Sequence, residues 1–102
     1  MQRYGYQHKE LGEAVSVLMS FTMSPLERVE GAMSAIQTGF MNGEPPPDAA
    51  EAYRTVRRLM QGEGSFLDRA KAMTAEDMNR FKDAVWALQY CVSRAYHEAA
   101  AR

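Results

Sequence analysis

The sequence predicts an all-α protein, a small antiparallel bundle of four helices plus a short fifth, on three observations. Apolar residues recur at alternating spacings of three and four, helix start signals recur along the chain, and no run alternates apolar and polar residues long enough to read as a strand. Connections between the periodic segments are short and every helix carries an apolar stripe, so neighbours are expected to pack antiparallel around one core. At 102 residues the chain reads as a single domain. A domain of this size buries about two-thirds of its unfolded surface, enough for a core without a metal or disulfide.

The first helix is expected near residues 9 to 22. The second, near 25 to 41, opens on Ser24-Pro25-Leu26-Glu27: a serine cap, a proline at the first helical position and a glutamate three residues after the cap. Its stripe Leu26, Val29, Met33, Ile36 and Phe40 is assigned to the core. Asn42-Gly43 suits the end of that helix, and Pro45-Pro46-Pro47 prevents its continuation. Asp48 is expected to cap a third helix near 49 to 61, and Gly62-Glu63-Gly64 to turn the chain. Ser65 opens a short fifth segment, 65 to 73, and Thr74 caps a long last helix, 75 to 100.

The last helix carries apolar residues on two faces. Met78, Phe81, Val85, Leu88, Val92, Tyr96 and Ala99 form one stripe at about 100° per residue, which is core. Trp86, Tyr90 and His97, with Ser93 between them, fall on a separate face that an amphipathic helix of a monomer should leave polar. That face meets another helix of the chain, a second copy or a different partner, since Trp and Tyr are enriched at interface centres. The second helix holds a row of small residues, Gly31, Ala35 and Gly39, where another backbone can approach closely; the aromatic face is its expected counterpart. The eight methionines mostly sit at core spacing and add little.

Charge bounds the partners. Twelve basic and thirteen acidic residues leave a net charge of −1, so no global field steers the chain onto nucleic acid or membrane. Residues 1–51 carry three basic and seven acidic side chains and residues 52–102 nine and six, a contrast that suits internal pairing or head-to-tail association. Arg54, Arg57 and Arg58, with Arg69 and Lys71 downstream, are the one basic concentration and the candidate for nucleic-acid phosphates. Ala52 to Met73 has the order of a helix-turn-helix, but Glu63 in the turn and Asp68 early on the second helix oppose a polyanion. No apolar run approaches a transmembrane span and no secretory signal is seen at the N-terminus, so a cytoplasmic protein is expected.

Enzyme constellations are missing from the sequence pattern. His8 and His97 lie in different segments without Cys, Asp or Glu at metal-ligand spacing, so neither a metal nor a cofactor is expected. Cys91, the single cysteine, has nothing adjacent to stabilise a thiolate, and Gly62-Glu63-Gly64 lacks the lysine and strand of a phosphate loop. Glu76 and Asp77 are explained by the helix N-terminus they occupy, and the triple proline by its role as a rigid connector.

The reading is a non-enzymatic interaction or regulatory protein, an adaptor or inhibitor, acting through Trp86, Tyr90 and His97 and self-associating as a homodimer. One alternative is a nucleic-acid-binding regulator using Arg54, Arg57 and Arg58. The other is a small-ligand binder with an inter-helix or inter-subunit pocket lined by Tyr90, Trp86 and methionines.

Overall fold

Three hydroxyl caps set where helices begin in the computed structural model, which describes residues 4–101. Ser24 accepts a hydrogen bond from the Glu27 amide at 3.2 Å while the Glu27 carboxylate accepts from the Ser24 amide at 3.2 Å. Ser65 and Asp68 repeat this reciprocal arrangement at 3.1 Å each way. Thr74 accepts from the Asp77 amide at 3.0 Å. Each cap satisfies amides that the first helical turn leaves without partners.

The helices are α1 (Gly5–Leu18), α2 (Pro25–Gly39), α3 (Ala50–Met60), α4 (Phe66–Lys71) and α5 (Ala75–Ala100), with one turn of 3₁₀ helix at Pro47–Ala49. No strand occurs among the described residues, and the all-α bundle of four helices plus a short fifth is what the chain forms. At 1.5 Å per residue α5 is about 39 Å long, close to the 43 Å long dimension of the molecule. It packs on α1 and α3, while α2 packs on α1 and α4.

Two boundaries differ from the sequence reading. α1 lies about four residues nearer the N-terminus than expected, beginning after Tyr4, which has a φ of 66° and supplies no side-chain cap. It ends at Leu18 because Ser20 accepts from the Thr22 amide and its hydroxyl lies 3.1 Å from that of Thr22, a local alternative to helical bonding. Met19, Phe21 and Met23 therefore stand on an exposed loop, Phe21 with 98% of its surface open. Asp48 is not the cap of α3: it sits inside the 3₁₀ turn, and Ala49 occupies the cap position without a side-chain bond.

The core is built from the stripes read in the sequence. Val29, Met33, Ile36 and Phe40 of the second stripe are buried with Leu11 and Ala14 of α1, and Phe81, Val85, Leu88 and Val92 of α5 are fully buried. The small-residue row lies on the other side of α2, against α1. A β-carbon at Gly31 would fall 2.7 Å from Val17 Cγ1, and one at Gly39 would fall 2.8 Å from Glu10 Cβ. Ala35 between them is buried. The row is thus the seam of the antiparallel α1–α2 hairpin. Gly31 and Gly39 are filled from within the chain, which corrects the expectation that this row receives the aromatic face of the last helix.

Candidate functional site

Burying the core stripe of α5 fixes what its opposite side presents. Asn79, Asp83, Trp86, Tyr90, Arg94 and His97, at spacings of four, three, four, four and three, are all exposed. Trp86 keeps 44% and Tyr90 65% of its surface open, so neither α1 nor the Phe66 segment covers them. The aromatic pair lies between opposite charges on this line: Asp83 on its N-terminal side and Arg94 on its C-terminal side. Arg94 donates from Nε to Glu98 at 3.2 Å, and that carboxylate holds the guanidinium above its ordinary pKa.

His97 belongs to a different setting from the aromatic pair. Its ring lies edge-on to His8 of α1 at 5.4 Å between centroids and to Tyr96 at 5.2 Å. Tyr96 in turn stacks on His8 at 4.4 Å. The sequence separates these histidines by most of the chain, and only the docking of α1 on α5 brings them together. No group of three or more His, Cys, Asp or Glu among the described residues is placed to hold a metal ion.

The arginines of α3 meet different surroundings. Arg57 donates from Nη1 to Gln37 Oε1 of α2 at 2.8 Å, with its guanidinium 6.0 Å from the centre of the Tyr53 ring. Arg58 lines a cleft of about 660 Å³ between α3 and α5 together with Asp48, Glu51, Asp77, Arg80 and Asp83. That surface has four carboxylates to two guanidiniums. Arg54 is exposed and lines neither this cleft nor the one beside Arg57. A polyanion following all three arginines has to pass acidic side chains, which weakens the phosphate-binding geometry.

Two further clefts are formed. The larger, about 960 Å³, opens between the start of α1 and the connection after α2, lined by Tyr4, Tyr6, Gln7, Asn42, Glu44 and Pro45 among others. Gln7 is buried there, donates from Nε2 to the Glu44 carbonyl at 2.8 Å and leaves Oε1 without a partner. The smaller, about 110 Å³, is lined by Gln37, Arg57, Met60, Gln61 and Arg69. Trp86 and Tyr90 line none of these three clefts. The convergence of Arg57 with Arg69 escaped the sequence reading because it depends on how α4 folds back; the one available signal was their common isolation from acidic neighbours at helical spacing.

These features define a small all-α bundle whose last helix keeps an aromatic pair in solvent. Compared with protein-family models, curated proteins and solved structures, the chain matches none. Among the described residues no helix is long and apolar enough to cross a membrane.

Proposed function

We propose that the chain is a non-enzymatic interaction protein, regulatory or adaptor in kind, that works through the outer line of α5 and associates there with a second copy of itself. The observation that carries this reading is the exposure of Trp86 and Tyr90 beside a core that is already closed without them. Aromatic side chains of this size are costly to leave in water and are the residues that most often anchor interfaces.

The choice of a second copy rests on the order of side chains along the line. Two α5 helices laid antiparallel, with the twofold axis at the level of residue 88, set Trp86 opposite Tyr90 of the second copy. The same register brings Asp83 to within one residue of Arg94 and sets Asn79 opposite His97, and the symmetry makes every pair twice. A parallel arrangement sets Asp83 against Asp83 and Arg94 against Arg94, which is repulsive. The bond between Arg94 and Glu98 joins two exposed side chains, so exchanging it for Asp83 of the second copy costs little.

Sedimentation equilibrium over micromolar to millimolar protein tests the reading. Trp86→Ala and Tyr90→Ala are each expected to weaken the dimer about 30-fold, the equivalent of about 2 kcal/mol at a central aromatic anchor. Asp83→Arg weakens it as well, and adding Arg94→Asp to the same chain restores it. A chain that stays monomeric throughout, or a dimer indifferent to all four changes, removes the proposal.

A further inference from the structure

The clefts of about 960 and 660 Å³ each include acidic side chains, but the small one at the end of α3 contains none. Its lining comes from α2 through Gln37, from α3 through Arg57 and Met60, from the following turn through Gln61 and from α4 through Arg69. We propose that this cleft is a binding site for a small oxyanion, a phosphate or carboxylate group, held between the guanidiniums of Arg57 and Arg69.

Charge is the first argument. Among the described residues neither arginine pairs with a carboxylate: Arg57 bonds the neutral Gln37 amide oxygen, and Arg69 donates from Nη1 to the Met60 carbonyl at 3.4 Å. Asp68, next in sequence to Arg69, is occupied in the cap with Ser65. Two like charges brought to one cleft without a counterion favour an anion between them, and planar guanidiniums match oxyanion geometry.

The second argument is an unused donor. Arg69 Nε is buried and has no hydrogen-bond partner. A buried N–H group left in this way calls for an acceptor that the protein itself does not supply.

The third argument is that the site is held in shape. Gly62 has a φ of 149°, and a β-carbon there would lie 3.2 Å from Arg69 Cγ, so the turn after α3 runs directly along the Arg69 stem. The Arg69 guanidinium stands 5.2 Å from the centre of the Phe66 ring, as that of Arg57 stands near Tyr53. Ring contact restrains each guanidinium and leaves N–H groups for a ligand. At about 110 Å³ this cleft is by far the smallest of the three and is of a size for a small anion. A nucleic-acid strand does not fit that volume, and Arg54 and Arg58 do not line it.

The test follows the Arg69 side-chain Nε–Hε resonance by NMR during titration with sodium phosphate, sodium acetate, O-phosphoserine and, at matched ionic strength, sodium chloride. A saturable shift with phosphate or acetate, absent with chloride, is the expected result. Saturation with free phosphate marks the ion itself as the ligand, and saturation with O-phosphoserine alone marks a phosphoryl group carried on another molecule; both support the site. Arg57→Gln is expected to weaken binding about tenfold or more, as losing one charge-assisted contact does, with Arg54→Gln as the unaffected control. Should Arg57→Gln fail to fold by circular dichroism, Arg57→Lys keeps the charge, loses the fork and still weakens binding. No saturable shift, or an equal shift with chloride, overturns the proposal. So does tight binding of duplex DNA that Arg54→Gln weakens as much as Arg57→Gln.

Discussion

The imidazole of His8 lies flat on the phenol ring of Tyr96, with centroids 4.4 Å apart and planes 10° from parallel. This stack fastens the start of α1 to the end of α5, where α1 has no side-chain cap. His8 Nδ1 is buried there without a partner. Removing the ring with His8→Ala should cost about 1–2 kcal/mol, the aromatic contact plus part of its buried area. His8→Phe keeps the stack and removes the unpartnered nitrogen, so it should melt at or above the wild-type temperature. Thermal denaturation of the two variants checks the pair. Equal losses for both would show that the ring contact contributes nothing.

The glycines of the hairpin predict changes of opposite sign. Gly12 in the middle of α1 has nothing within 4 Å of an added β-carbon, so Gly12→Ala should stabilise the protein by about 1 kcal/mol through helix propensity. Gly39→Ala meets Glu10 Cβ at 2.8 Å, an atom fixed to the α1 backbone, and the helices must separate. Overpacking of this kind costs about 1–3 kcal/mol. Gly31→Ala meets the tip of the Val17 side chain at 2.7 Å, which a rotation can relieve, so its cost should be the smaller of the two. Urea denaturation of the three variants orders them.

Acid should release two caps in a definite window. The Ser24 amide, then its hydroxyl, hold the Glu27 carboxyl below its ordinary pKa, and Ser65 does the same for Asp68. A carboxyl whose pKa is lowered by folding contributes its full share above the unfolded value and loses it as pH falls through the folded one. Capping by these residues is therefore complete at neutral pH and declines as pH drops below about 4. Melting temperatures recorded from pH 7 to pH 2 should fall less steeply in the Glu27→Gln, Asp68→Asn double variant. Parallel curves for the two proteins would contradict the assignment.

The features legible in the sequence are those written in local chemistry. Ser24, Ser65 and Thr74 announced their helices because a hydroxyl before the first turn bonds amides two or three residues on, and the stripe from Phe81 to Val92 announced its burial through spacing alone. The start of α1 was not legible, since Tyr4 enters it through a left-handed conformation without a capping side chain. Asp48 misled for the opposite reason: it has the chemistry of a cap, but Pro47 begins a 3₁₀ turn that moves the helix start beyond it. Gly31 and Gly39 announced a close approach without naming the helix that makes it. The meeting of His8 with Tyr96 and of Arg57 with Arg69 depends on tertiary packing, which no spacing along one helix records.

Phe81 and Tyr90 sit on one helix and should respond to truncation in opposite ways. Phe81 is fully buried beneath α5, and Phe81→Ala leaves a cavity in the core. Such a loss costs about 3–5 kcal/mol, a large part of the about 5–15 kcal/mol that holds a domain together. Tyr90 is 65% exposed and outside the core, so in dilute solution Tyr90→Ala should move stability by no more than about 0.5 kcal/mol. On the proposed self-association, the same substitution should lower the melting temperature at high protein concentration, because a dimer would stabilise the fold by mass action. Melts of wild type and Tyr90→Ala at low and high protein concentration separate the two contributions. A large loss at low concentration would place Tyr90 among the residues that hold the monomer together, and the outer face of α5 would then have no role left in association.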